Sequence, residues 1–258
     1  GEKVEMISSF LERPELVGDD YDSWLRHQYG NVIAERYPIG YTKKYWGTDA
    51  SKLSTTWIGN RMRRANLDEI LYGAFTLETP NTYYTKEMRY PKIGGYRAFI
   101  EPLINHSKIE YEYEAIEIDT SRKVVKFSNG ESVEYMHLVS SAPLPKLSEM
   151  TVDVPEYVSD AAKTLEATSI DLISVGFNKV VTKDLWFYIY DEDILASRAY
   201  SPSLKSPENA PIGCSSLQFE IYSRGTSSRF EIQKLKDNVV YALLKMNIAT
   251  KEDILFLH

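Results

Sequence analysis

The sequence predicts an α+β chain, a helical region followed by a mixed or antiparallel β-sheet. Three observations carry this. Apolar residues recur at helical spacing through much of the first hundred residues. From Ile109 the period falls to two, in runs bounded by turn residues. Near the end, residues 230–246 return to a long amphipathic helical pattern.

Taken in order, Asp19 and Asp20 cap a helix through Tyr21, Trp24, Leu25, Tyr29, Val32 and Ile33. Pro38 and Gly40 interrupt it, and a second helical stretch runs to Trp46 and Gly47. Residues 54–64 read as a helix or loop-helix, and 82–90 as a strand ended by Pro91. Gly94 and Gly95 open a helix over 96–104. Strands follow over 109–119, 123–127 and 133–139, with Ser128-Asn129-Gly130 as a hairpin turn. Pro143 and Pro145 stop that sheet. A helix over 154–165 precedes strands over 169–177, 185–190 and 213–222. Four regions are expected: helical 1–107, a β-hairpin layer 108–147, a sheet 148–228, and a C-terminal helix within 229–258.

Composition narrows the function classes. Hydrophobic residues make up 43% of the 258, enough for one large domain or two smaller ones. A net charge of −7 argues against nucleic acid as the main partner, because phosphate binding needs basic surface. No apolar run approaches the roughly 20 residues of a membrane helix. No signal-peptide pattern opens the chain. The one cysteine, Cys214, excludes an internal disulfide and is expected to be a small buried side chain; with this cysteine poverty a cytoplasmic location is expected. The four histidines are too far apart in sequence to suggest a metal site. No Gly-x-Ser-x-Gly nucleophile elbow is present. Nineteen tyrosines against nine phenylalanines suit either a half-wet sugar- or nucleotide-binding cleft or strand-rich structure.

Three clusters in succession carry a family resemblance. The first is Tyr41-Thr42-Lys43-Lys44-Tyr45-Trp46-Gly47, followed by Trp57-Ile58-Gly59-Asn60-Arg61. The second is Tyr90-Pro91-Lys92-Ile93-Gly94-Gly95. The third is Trp186-Phe187-Tyr188, then Ser197-Arg198-Ala199-Tyr200 and Ser206-Pro207-Glu208-Asn209-Ala210-Pro211. In this order and spacing the chain resembles FAD-dependent amine-oxidase-type flavoproteins, most of all their UDP-galactopyranose mutase branch. The resemblance implies part of a two-domain FAD-binding flavoprotein. It also implies a small-molecule substrate such as a nucleotide sugar, and ring isomerisation through reduced flavin. The Gly-x-Gly-x-x-Gly turn that holds the FAD pyrophosphate in that family is absent from this sequence, and so is the family's closing FAD segment. The chain by itself is therefore expected to hold FAD weakly and to be inactive alone.

The resemblance also nominates residues, none of them as a catalytic group. Arg61 and Arg198 match arginines that face the substrate diphosphate, where a planar donor fork grips two oxygens. Tyr188 and Trp46 match cleft-lining positions. Lys205 stands where the branch tends to carry tyrosine, and Thr42 where it tends to carry asparagine, which opens the choice of sugar. For the cofactor, Gly94 and Gly95 match a close backbone approach to the flavin. Ala115 matches the reader of the adenine, and Ser141 the strand exit beside the FAD domain. Competing readings are ordinary ion pairs for the arginines, core packing for Trp46 and a plain turn at the glycines. At the level of function, the alternatives are an amine-oxidase or protoporphyrinogen-oxidase-like oxidoreductase, or a non-catalytic binding module.

Overall fold

The computed structural model describes residues 1–59, 62, 66–76, 89–225 and 227–258. Arg61 and all but the end of the strand expected over 82–90 lie outside them. The chain divides into two compact units, one of Gly1–Ala98 with Thr168–His258 and one of Phe99–Ala167.

In the first unit, helix α1 spans Glu2–Leu11 and buries Phe10. Helix α2 spans Tyr21–Tyr29, and Asp20 caps it by accepting from the Ser23 amide at 3.0 Å and the Ser23 hydroxyl at 2.7 Å. Gly30 separates α2 from α3, Asn31–Ala34. The expected break at Pro38 and Gly40 does not occur. Instead α3 continues through a π-helical turn, Glu35–Ile39, into α4, Gly40–Trp46. The wider turn takes in a proline that has no N–H to donate, so the axis continues. Left-handed Gly47 ends α4. Tyr21, Trp24, Leu25, Ala34, Ala50 and Ile58 form a small helical core. Residues 50–52 make one 3₁₀ turn, and the helix expected from residue 54 is absent over the described 54–59. Asn66 caps α5, Leu67–Phe75. Helix α6, Arg97–Asn105, follows the two glycines as expected and belongs from Phe99 on to the second unit.

The second unit holds a three-stranded antiparallel meander: β1 Ala115–Asp119, β2 Val124–Phe127 and β3 Ser132–Glu134. Its Asn129-Gly130 turn puts Gly130 at φ 89°. The outer strands are shorter than expected, because Glu112 adopts φ 63° and residues 136–139 leave the ladder with Met136 and Val139 exposed. The prolines after β3 start a helix rather than only ending a sheet. Helix α7 spans Leu144–Met150, with Pro143 as its cap and Pro145 in its first turn. An unpartnered first-turn N–H is where proline costs least. Helix α8 spans Glu156–Thr164. Among the described residues of this unit, Ile118, Val125 and Ala162 are the buried apolar side chains.

The chain then completes the first unit with an antiparallel sheet. Its strands are β4 Thr168–Phe177, β5 Trp186–Tyr188, β6 Arg198–Tyr200, β7 Ser215–Arg224 and β8 Ile254–Leu257. Their order is β5-β6-β7-β4-β8, antiparallel throughout. A short helix α9, Pro202–Lys205, follows β6, and α10, Ile232–Lys245, follows β7. Strand β8 was not foreseen, since its four residues carry no turn signal. One face of the sheet turns Ile173, Val175, Phe177, Ala199, Leu217, Phe219 and Ile221 onto Leu235, Val239, Ala242 and Leu243 of α10. That is the main hydrophobic core.

Period-two alternation therefore sends the intervening residues to the other face. There Tyr188, Arg198, Glu220 and Leu172 stand side by side in one row. Trp186, Tyr200, Gln218 and Ser174 form the next.

Between β5 and β6, Asp193 accepts from Lys245 of α10 at 2.7 and 2.9 Å and from the Tyr241 hydroxyl. The Lys245 bond, then the Tyr241 bond, holds the Asp193 carboxyl at about 2. A depressed carboxyl contributes stability that is present above its ordinary value and lost as pH falls through the depressed one. Asp193→Asn is thus expected to show a smaller loss of Tm between pH 4 and 2 than the parent, in thermal melts across that range. An unchanged acid limb would refute this.

Candidate functional site

The outward face of the sheet meets α4 in a cleft of about 410 Å³. Helix α4 supplies Tyr41, Tyr45 and Trp46, and the sheet side supplies Tyr188, Tyr190 and Arg198. Tyr41 meets Tyr188 edge-on at 5.5 Å and stacks on Tyr45 at 5.6 Å. Tyr45 in turn packs on Tyr222 at 4.4 Å. Trp46 faces Trp57 at 6.5 Å and is 39% exposed, which does not fit the competing reading of a core side chain. Tyr41 with Tyr45, and Thr42 with Trp46, share the cleft because α4 puts positions i and i+4 on one face.

Arg198 is the cation of this cleft. Its Nε donates to Glu220, directly across the β6–β7 ladder. The Glu220 side chain is 7% exposed, and its carboxylate also accepts from the Tyr222 hydroxyl at 2.6 Å. Burial works against the Arg198 charge, but the bond to Glu220 and the charge of Glu220 outweigh it and raise the guanidinium pKa. Only Nε is engaged in these bonds, and a guanidinium carries five N–H donors. Burial raises the hydroxyls of Tyr41 and Tyr222, so both remain neutral donors at physiological pH.

The other nominated residues distribute as follows. Thr42 is buried, lines the cleft wall and donates its hydroxyl to the Pro38 carbonyl at 2.6 Å, so its proton is committed to the helix. Lys205 sits on α9 outside the cleft lining. Its ammonium lies 4.0 Å from the Tyr200 ring centroid and 5.9 Å from that of Tyr90, and burial lowers its pKa. Gly94 and Gly95 have φ 81° and 60°, in the turn before α6. In the second unit, Ala115 and Ser141 share a cavity of about 420 Å³ walled by Ile118, Val125, Phe127 and Leu138. Cys214 is half-exposed rather than buried, because it precedes β7 instead of lying within it. Among the described residues no three His, Cys, Asp or Glu side chains converge as metal ligands, and no helix is long and apolar enough to cross a membrane.

Sequence reasoning missed Glu220, Tyr222 and Gln218. The signal was present: polar groups at every second position of an otherwise apolar run, residues 215–224. Tyr41, which opens the first cluster without being nominated, was also missed, and so was Tyr190, which nothing local distinguishes among nineteen tyrosines.

No family model matches the chain. Among solved structures, it is similar to a reduced UDP-galactopyranose mutase, with a TM-score of 0.84 and 22% identity over 100% of this chain and 59% of that one. It is also similar to an Exiguobacterium protein provisionally named protoporphyrinogen oxidase, with a TM-score of 0.65 and 14% identity over 100% of this chain and 58% of that one. A third is a fatty acid isomerase from P. acnes that produces CLA, with a TM-score of 0.54 and 9% identity over 100% of this chain and 61% of that one. The chain thus spans about 60% of the length of these structures and shares the fold of that part of them.

Proposed function

We propose that this chain is the substrate-binding part of a flavin-dependent enzyme that acts on a sugar nucleotide, most simply a uridine diphosphate sugar. The observation that carries the reading is the arginine anchored by a buried carboxylate at the end of a tyrosine- and tryptophan-lined cleft. Aromatic faces stack on a base or sugar ring, while guanidinium and phenol donors take phosphate oxygens. The likeness to a UDP-galactopyranose mutase structure supports the same substrate class. Thr42, with its hydroxyl turned to the helix, and Lys205, set outside the cleft, leave the sugar itself open.

Two separate features of this chain, one in each unit, suit parts of FAD. The Ala115–Ser141 cavity has apolar walls suited to a flat adenine ring. The left-handed Gly94-Gly95 turn fits a close backbone approach. When bound, the flavin supplies the electron-rich centre for ring isomerisation. The chain's own residues hold the diphosphate charge on Arg198, stack the ligand against Tyr41, Tyr45 and Tyr188, and keep water from it.

Calorimetry with uridine diphosphate tests the reading. The protein is expected to bind it, and Arg198→Ala to weaken binding by about 10–100-fold, the worth of one or two charge-assisted hydrogen bonds. Absence of binding at millimolar ligand, or an alanine variant with parental Kd, would sink the proposal.

A further inference from the structure

We infer that Lys44 is the positioning residue of the cleft, tying the strand end that carries Tyr188 and Tyr190 to the helix that carries Tyr41 and Tyr45. The inference rests on the cleft being the ligand site. Lys44 lies on α4 between the two cleft tyrosines, and it turns its ammonium to the sheet side. Its Nζ donates to the carbonyls of Ile189 at 2.7 Å and Asp191 at 3.0 Å. These two carbonyls bracket Tyr190. That ring packs edge-on against Tyr37 at 5.3 Å and tilted against Tyr41 at 5.7 Å. One side chain therefore fastens both walls of the cleft, 145 residues apart in sequence.

The charged groups around this tie are few. Asp191, Glu192 and Asp193 face Lys44 from the connection between β5 and β6. From α10, Lys245 holds Asp191 at 2.9 Å and Asp193 at 2.7 Å, and Tyr241 donates to Asp193. Burial pulls Lys44 down to about 8, with the three carboxylates opposing. A solvated lysine titrates near its ordinary value of about 10.4. Protons therefore favour the untied state, and raising the pH through 8 favours the tied one. Between pH 7 and 9 the tied state gains up to about tenfold, from those two values. Lys245 is raised by Asp193, Asp193 itself sits at about 2, and burial raises Tyr41 and Tyr190. None of these four titrates in that window.

Amide hydrogen exchange on the full chain at pH 7 and 9, corrected for intrinsic rates, tests this at two amides. The Ile189 amide donates to Ser197 and the Ile194 amide to Asp191. In the parent their protection is expected to rise by up to about tenfold with pH. Lys44→Arg keeps donors and charge, so it should retain protection and lose the pH dependence. Lys44→Met should lose protection at both pH values while the amides of β4 and β7 keep theirs. Parental protection in Lys44→Met, or a surviving pH rise in Lys44→Arg, overturns the inference. Uridine diphosphate calorimetry on the same proteins separates the two claims. Failure of the parent to bind sinks the functional reading, and the exchange data still decide the role of Lys44.

Discussion

Glu220→Ala is expected to lower stability by about 2–4 kcal/mol and to loosen Arg198 from the cleft. The carboxylate is the shared acceptor of Arg198 and of the buried Tyr222 hydroxyl. Truncation leaves a half-buried guanidinium without its counter-ion and a buried phenol without its acceptor. Removing one partner of a buried pair costs about 3–5 kcal/mol, and an unmade buried hydrogen bond about 1–3 kcal/mol. The Arg198 side chain is 35% exposed, so water recovers part of that cost, and the lower range applies. Glu220→Gln keeps an acceptor but removes the charge, and should fall between parent and alanine variant. Urea unfolding would show the midpoint shift, and an alanine variant with the parental midpoint would remove Glu220 from this role. The buried carboxylate sets the direction of the arginine more than it strengthens the fold. A well-packed apolar residue in its place would cost less and would leave the arginine unaimed.

Gly30→Ala is expected to be the most damaging single-methyl addition in the molecule. Gly30 sits at φ 77° and ψ 162°, a region that only glycine occupies at little cost. A Cβ there would stand 2.4 Å from the Ser9 carbonyl oxygen, 2.6 Å from the Ser9 carbonyl carbon and 2.8 Å from the Phe10 Cα. These are backbone atoms of α1, so no side-chain rotation relieves the contact. Conformational strain of about 1–3 kcal/mol and a similar overpacking cost add, giving roughly 2–6 kcal/mol. For a chain of this size that lowers Tm by on the order of 10 °C. Gly130→Ala is the control. It has φ 89° in the hairpin turn but nothing within 4 Å of the added Cβ, so it should show the conformational part alone. Equal melting shifts for the two variants would refute the steric argument.

These two sites differ in how far they could be read from residues alone. Sequence patterning ran one helix through Gly30 to Ile33, whereas the structure ends α2 at Tyr29 and starts α3 after Gly30. The demand on Gly30 comes from a helix that packs against it from twenty residues upstream. Glu220 sits in a strand whose alternation was legible, yet its partner is set by the β6–β7 register. Lys44 belongs to a quoted motif, but its acceptors lie on the far side of the chain. Strand β8 was missed because its four residues are all apolar and show neither alternation nor a flanking turn signal.

By itself, the sequence determined the α+β class, the approximate positions of β4, β7 and α10, and the start of α2. These follow from local periods of 3.6 and 2, together with the cost of leaving apolar groups in water. Only the tertiary structure decided that Tyr41 meets Tyr188, that Arg198 is held by Glu220, and that Trp46 lines a cleft instead of filling a core. Those outcomes depend on strand register and on where α4 lies across the sheet. A short-range pattern encodes neither, because each is settled by packing between segments far apart in the chain.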